Sequence, residues 1–544
     1  MPNSMKPQTI QQVEDSTLLL CSQVGDIISP MFGPRGQAKL VGYVNGESRV
    51  MNDATMILDL MCFPHPVVKM IADAGATSKK LAGDGTTTTV LLASALIAEG
   101  MKLRQRGLAP TLVASHYHDC LARTLATLRE NSMVIDGDVK ERRIEVAMTA
   151  LSKIDPSDRR RAAEVVVEAV EAMKEASSDG HIDLRPIRLE KRPGASLSDS
   201  FMVKGTIIDT VRTDENMPGR VKGARVALLT CPLVPKKLKT KYEVRTTSFD
   251  DMASFTKRAY DEKKELARTL TEGGATVVVT KGMIDKYVQA LLAKAGVFAI
   301  QEVDDWDLEC LMKATGARIV PRVDLFTPAD LGTADLVEEV EINGDPLTIF
   351  RCEEGKAASI LVRGANQTAV ESAIGSMTDA LFAVRDVFRQ GKVVGGGGAA
   401  EMQVVTALRR ESRTIESSLQ SAMQSYANAV ESVVRALCAN SSLDLIDSVS
   451  ALRLLHLGEE NPWLGFDAEL KSVVDTRVAG ILHPLEVLES AFVSATEAAC
   501  AVLRISHILQ CPPKAPNVGE MRAKKLAHYG SNVKLEEAPK ATKW

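Results

Sequence analysis

The 544-residue chain is short of several things that would narrow its chemistry at once. Aromatic side chains make up only 4% of it. The plentiful Ala, Val and Leu suit long helices packed on sheets better than an all-β sandwich. There is no Cys-x-x-Cys pair among its nine cysteines (Cys21, Cys62, Cys120, Cys231, Cys310, Cys352, Cys438, Cys500 and Cys511), which are scattered and odd in number. Neither a zinc cluster nor a disulfide framework is therefore indicated, and the thiols read as small core residues in a reducing compartment. An excess of one charge is also missing: 66 Lys and Arg face 70 Asp and Glu, a net charge of -4 that gives no push towards nucleic acid or anionic lipid. The opening stretch MPNSMKPQTIQQVED lacks the charged and apolar regions of a signal peptide, and apolar runs are broken well before bilayer length. These absences point to a cytoplasmic protein with no nucleic-acid and no membrane partner.

What is present is length and pattern. So long a chain exceeds one ordinary core, so two or three domains are expected. The first quarter reads as helical: STLLLCSQVGDIISPMF stops at GPRG, VLLASALIAEGMKLRQRG is apolar along most of its length, and PTLVASHYHDCLARTLATLREN starts on Pro110. The middle turns β-rich, with ARVALLTCPL, GATVVVTKG, VFAIQEV, ARIVPRV and ASILVRG mostly separated by helical segments. That alternation predicts an α/β domain over roughly residues 212–364. Helical pattern returns through ESAIGSMTDALFAVRDVFRQ and persists beyond Gly395–Gly398. One economical arrangement has the two ends of the chain building one domain, with the middle looped out.

Three Gly-rich turns carry the candidate chemistry: FGPRG, AGDGTTTT and VVGGGGAAE. Glycine lets backbone N–H groups approach a phosphate closely, and a helix start adds partial positive charge. An acid inside such a turn would repel a bare phosphate, so Asp84 reads as a ligand for a divalent metal shared with phosphate oxygens. A plain helix cap is the competing reading. No GxxxxGK[ST] occurs, so this is not a Walker-type loop. Physical reasoning alone does not single out Asp53 (in NDATMIL) or Asp379 (in TDAL) as a general base; a cap and a solvated helix position are the bland alternatives. His116 and His118 sit two apart on a helix, which points them to different faces rather than to one metal. KKLKTKYEVR reads as a solvated loop, and the segment after Pro512 as a mobile tail.

GPRG, ND before an apolar run, GDGTTTTVLLASALIAEG, AMTALS, LVRGANQ, TDAL, VVGGGGAAE and SATEAACAVLRI occur in the order and at the separations of one family. The chain resembles the group II chaperonins, the archaeal thermosome and the eukaryotic TRiC/CCT subunits, with AMTALS and ATEAAC most similar to the eta subunit. The resemblance implies a multidomain α and α/β chaperonin fold: an equatorial domain from 1–145 and 392–525, an intermediate domain from 146–211 and 365–391, an apical domain with a helical protrusion at 212–364, and a flexible tail at 526–544. It implies an ATP-dependent chaperone that binds and encapsulates unfolded polypeptides within stacked homo- or hetero-oligomeric rings, with ATP and Mg²⁺ as cofactors. Asp84 would hold the metal. Gly33, Pro34, Gly83, Gly85, Thr86, Thr87, Thr88, Gly396, Gly397 and Gly398 would surround the nucleotide, and Asp53 and Asp379 would act on the hydrolytic water. The helix DDWDLECLMKATG and the segment DEKKELARTLTE would face a client, ordinary core being the alternative for Trp306 and Leu308.

Departures from the family pattern are Ala54 after Asp53, Met31 before the Gly-Pro turn, His483 in place of a ribose-contacting acid, Ser506 after LRI, and a segment one residue short before Lys153, the expected phosphate sensor. They imply weak affinity or slow turnover. The alternatives are an ATP-binding ring subunit that barely hydrolyses and, from another class, a small-molecule kinase.

Overall fold

The computed structural model of the protein describes residues 10–42, 48–61, 65–135, 139–177, 182–235, 249–442, 444–458 and 461–508. KKLKTKYEVR and the segment after Pro512 lie outside them. The chain divides into two compact units, Met1–Ser16 with Ile505–Trp544, and Thr17–Arg504. The sheets, the helical layer and the site described below all belong to the second.

The helical layer draws on both halves of the sequence. The helix Thr86–Gln105 packs against Ser418–Asn440 and Leu485–Leu503, and the last also contacts Pro66–Ala82 and Pro110–Glu130. A central position explains why Thr86–Gln105 is apolar on most sides: Val90, Leu92, Leu96, Ile97, Met101 and Leu103 are all buried. Gly100 marks its closest approach, since a Cβ there would lie 2.5 Å from Leu503 Cδ1. Two fully buried tyrosines tie the layer together. Tyr117 and Tyr426 meet edge to face with centroids 5.4 Å apart, and each hydroxyl is satisfied, by Leu96 O at 3.2 Å and Thr496 Oγ1 at 2.8 Å.

A nine-stranded mixed sheet occupies the middle of the chain. Its order is Ile187–Pro193, Ala358–Gly364, Phe201–Ile208, Asp345–Arg351, Gly332–Ile342, Arg220–Leu229, Val277–Thr280, Phe298–Ile300, with Ile319–Val320 also on Arg220–Leu229. The βα alternation gives the parallel part, Arg220–Leu229 beside Val277–Thr280 beside Phe298–Ile300. Ile187–Pro193 on Ala358–Gly364 and Ile319–Val320 on Arg220–Leu229 are parallel as well; the remaining pairings are antiparallel and less visible in the pattern. Gly332–Ile342 and Asp345–Arg351 form a hairpin closed by Asn343 and Gly344, both at positive φ (58° and 86°), as a two-residue turn with primed geometry requires. Ile187–Pro193 and Phe201–Ile208, which precede residue 212, flank Ala358–Gly364 in the same sheet.

The 24-residue helix Gln367–Gln390 leaves this sheet, capped by Asn366 Oδ1 accepting from Ala369 N at 2.8 Å, and ends on Gly391 at φ 65°. It leads into a small sheet in which Lys392–Gly395 pairs with both Leu482–Pro484 and Met133–Val134. All seven described cysteines are free, and six are buried. Among the described residues no helix is long and apolar enough to cross a membrane.

Candidate functional site

A cavity of about 630 Å³ opens where the helices Ala54–Leu60, Thr86–Gln105 and Ala399–Ser412 begin. That is the scale of small-molecule and cofactor sites. The helix Pro66–Ala82 ends on Gly83 (φ 75°), whose N–H donates to Lys79 O at 2.8 Å, and Thr86–Gln105 begins on Gly85 (φ 83°). Asp84 is thus held between two left-handed residues, a conformation that glycine adopts without strain.

Gly85 offers no side-chain oxygen to its helix, and Gly398 (φ 81°), which starts Ala399–Ser412, offers none either. Two helices therefore bring uncapped, partially positive N-termini to the cavity, an arrangement suited to anions. Asp84 is not the cap of Thr86–Gln105. Its Oδ1 accepts from the Gly85 amide at 2.5 Å, and Oδ2 has no hydrogen-bond partner among the described residues. Asp53, by contrast, is both things at once. It caps Ala54–Leu60, with Oδ1 accepting from Thr55 N at 2.9 Å and Met56 N at 3.2 Å, and it lines the cavity.

The acids do not share one environment. Burial pushes the Asp379 carboxyl up to about 8, helped by Asp84 and Asp53 and opposed by Lys79 and Lys153. For Asp53, burial acts upwards too, but hydrogen bonds from Lys79 and Thr55 outweigh it and hold the carboxyl below its ordinary range. Lys79 Nζ stands 2.5 Å from Asp53 Oδ2. Burial works against the ammonium, yet Asp53, Asp379 and Asp84 together raise it. Glu401 is buried and pushed up to about 7 by burial, and burial lowers His483 against the opposing charge of Asp84.

Among the described residues no three His, Cys, Asp or Glu side chains are grouped to hold a metal. The donor set fits a divalent cation bound through one carboxylate, with ligand oxygens and water completing its shell, as is usual for Mg²⁺ at phosphates. The unpartnered Oδ2 of Asp84 is the available protein ligand.

Of the residues singled out from sequence, Gly33, Pro34, Asp53, Asp84, Gly85, Thr86, Thr87, Thr88, Asp379, Gly397 and Gly398 line the cavity. Gly83 and Gly396 do not reach it. A Cβ on Gly83 would enter the ring of Phe382, and one on Gly396 would lie 2.9 Å from His483 Cδ2, so both serve close packing behind the wall. Met31, Lys153 and His483 are wall residues, Lys153 Nζ lying 3.4 Å from Asn52 O, and Ala54 is buried as the first residue of its helix. Lys79 and Glu401 also line the cavity and were not singled out: Glu401 closes the VVGGGGAAE motif without being weighed, and Lys79 belongs to no motif, its one available signal being a basic last turn leading into Gly-Asp-Gly. Elsewhere, Leu308 is core while Trp306 is 50% exposed. His116 bonds Ser418 Oγ at 2.9 Å and His118 faces Glu497, so they form no metal pair.

The sequence matches the TCP-1/cpn60 chaperonin family over residues 24–513. It is 33% identical over 511 residues to a thermosome subunit of Methanocaldococcus jannaschii, covering 94% of both chains. A thermosome subunit of Methanopyrus kandleri is 36% identical over 490 residues, 89% of this chain and 90% of that one. The alpha thermosome subunit of Archaeoglobus fulgidus is 35% identical over 489 residues, again 89% and 90%. With nearly the whole length matched and the Gly-Asp-Gly turn at the mouth of a cavity, the chain belongs to the TCP-1/cpn60 chaperonin family, as a subunit of the group II kind.

Proposed function

We propose that this chaperonin subunit assists protein folding by binding and hydrolysing ATP in the cavity between the three helix starts. The observation that carries the proposal is the pair of uncapped helix N-termini at Gly85 and Gly398 that line one cavity with Asp84. The N–H groups of the first turn after Gly85, with the hydroxyls of Thr87 and Thr88, would hold phosphate oxygens. Asp84 would hold Mg²⁺, which when bound neutralises phosphate charge. Asp379, whose raised proton affinity suits a base, and Asp53, fixed by its capping bonds, would orient the attacking water and take its proton.

The residue ranges given above for equatorial, intermediate and apical domains belong to the same reading. Asp379 rides on Gln367–Gln390, which joins the nine-stranded sheet to the small sheet beside the cavity. A rigid-body closure that moves this helix would couple nucleotide to the client-facing sheet. Subunits would assemble into stacked rings enclosing an unfolded polypeptide, since one subunit encloses nothing.

ATP turnover by the purified full-length protein, compared with Asp84→Asn and Asp379→Ala, tests the proposal. Loss of turnover in both is expected. Equal turnover in wild type and Asp379→Ala would favour the second reading, a subunit that binds ATP and contributes ring geometry, to which the apolar Met31 and the imidazole of His483 on the cavity wall lend support.

A further inference from the structure

We propose that Lys79 is the residue by which this site distinguishes a nucleoside triphosphate from a diphosphate: tied to Asp53 in the free chain, it is drawn off by a terminal phosphate and thereby unmasks Asp53. The inference rests on the cavity being a nucleotide site.

Lys79 lies in the last turn of Pro66–Ala82, and its carbonyl accepts the Gly83 N–H at 2.8 Å, which locks its backbone to the Gly-Asp-Gly turn. Its ammonium sits 2.5 Å from Asp53 Oδ2, near enough to Asp379 and Asp84 to interact with both. The other cations on the cavity wall are placed differently. Lys153 acts on Asp379 through its charge but its hydrogen bond is to Asn52 O, at 3.4 Å, rather than to an acid, and Arg159 is engaged by Glu469 and by the carbonyls of Ser152 and Ile154. Three aspartates on the walls repel further negative charge, so an additional phosphate is accommodated where a cation stands among them, and Lys79 is that cation.

The pair is built for exchange. With side chains 39% and 18% exposed, it is the kind of partly solvated ion pair that contributes little on its own. A phosphate oxygen is a strong partner for a lysine point charge. Asp53 is held differently at its two oxygens: Oδ1 is fixed by Thr55 and Met56, whereas among the described residues Oδ2 is bonded by Lys79 alone. Removing the lysine frees Oδ2 without releasing the carboxylate from its orientation, and an oriented acceptor is what an attacking water needs. Lys79 is thus a positioning residue that couples recognition of the last phosphate to exposure of Asp53.

Calorimetric titration of the full-length protein with ADP and with the non-hydrolysable adenylyl imidodiphosphate, both with Mg²⁺, tests this. Lys79→Gln should weaken the triphosphate analogue on the order of tenfold, equivalent to ~1.4 kcal/mol, and ADP less than about twofold. Lys79→Arg should restore most of the difference. Asp53→Asn, which leaves Lys79 unclaimed, should strengthen the analogue several-fold with little effect on ADP, and the gain should vanish in the double variant. The Asp53→Asn single variant and Lys79→Arg still test the proposal if Lys79→Gln fails to fold. Equal weakening of both nucleotides, or no change in either, overturns the proposal. A wild-type protein that binds neither nucleotide removes the site itself, an outcome separate from a wild type that binds both and a Lys79 variant that keeps its preference.

Discussion

Gly83→Ala probes how tightly the Gly-Asp-Gly turn is fitted to the helix that carries Asp379. Two costs arise. Gly83 sits at φ 75°, where a side chain costs about 1–2 kcal/mol. The new methyl would also enter the Phe382 ring: even Cδ1, farther away than Cγ, would lie at 2.6 Å, about 1 Å inside the usual contact distance of ~3.5–4.0 Å. Phe382 is hemmed in, with the Arg385 guanidinium 4.8 Å from its ring centre and bonded to Asp386. Overpacking of this kind costs about 1–3 kcal/mol, so the total is ~2–5 kcal/mol. Gly391 supplies the control: it ends the same helix at φ 65° with nothing within 4 Å of an added Cβ, so Gly391→Ala should cost only the backbone part, about 1 kcal/mol. Native-state hydrogen exchange read by mass spectrometry gives the local stability of each segment. Gly83→Ala should speed exchange across Pro66–Ala82 and around Asp379 and weaken nucleotide binding. Gly83→Ala and Gly391→Ala variants that exchange alike, with nucleotide affinity intact, would refute the packing account.

Other consequences are as open to measurement. The folded chain keeps the Asp379 proton up to about 8, whereas the ordinary carboxyl value is 3.8, so the folded state binds more protons in that window and stability falls as pH rises through it. Thermal melts of nucleotide-free Asp379→Asn should therefore gain on wild type from about pH 4 to about pH 8 and level off above, and curves parallel throughout would contradict this. Glu431, 1% exposed, is ringed by Arg409, Arg435 and Arg453. Glu431→Gln weakens the bonds from three arginines that are themselves 26–55% exposed and stay partly hydrated, and should cost about 1.5–3 kcal/mol in urea unfolding. Burial acts upwards on this carboxyl, but the arginines hold it below 4.5, so the wild-type advantage is present above that value and lost as pH falls through the lower folded one. Gly397→Ala would set a Cβ 3.0 Å from Phe466 N at a residue with φ 61°, and binding isotherms should show a large loss of ATP affinity. Burial pushes the thiols of Cys21, Cys120, Cys352, Cys438 and Cys500 up to about 12, so mass mapping should find them unlabelled by maleimide in the native protein and labelled in urea.

Much of the architecture was legible because it depends on local period. The helix over Thr86–Gln105, the short parallel strands and the α/β class all follow from spacing of apolar residues. The hairpin Gly332–Ile342 with Asp345–Arg351 announces itself only through Asn343-Gly344, a signal easily passed over inside a βα pattern. At the site, Asp84 was legible because an acid between two glycines and before a run of threonines has few structural uses. For Asp53, cap and cavity wall were weighed as alternatives, whereas the structure makes it both. Gly83 and Gly396 show the limit of reading glycine: the residue signals close approach but not what approaches, which here is Phe382 and His483 rather than the cavity. Lys79 was invisible because its position depends on a pairing with Asp53, 26 residues earlier, that only folding creates.

The cavity takes its walls from Gly33, Asp53, Asp84, Asp379, Gly397 and His483, stretches scattered from the start of the chain to near its end. During synthesis the early segments leave the ribosome long before the late ones exist. A growing chain therefore has no complete cavity until residues around His483 have emerged, and a truncated product that still carries the Gly-Asp-Gly turn lacks part of the wall that faces it.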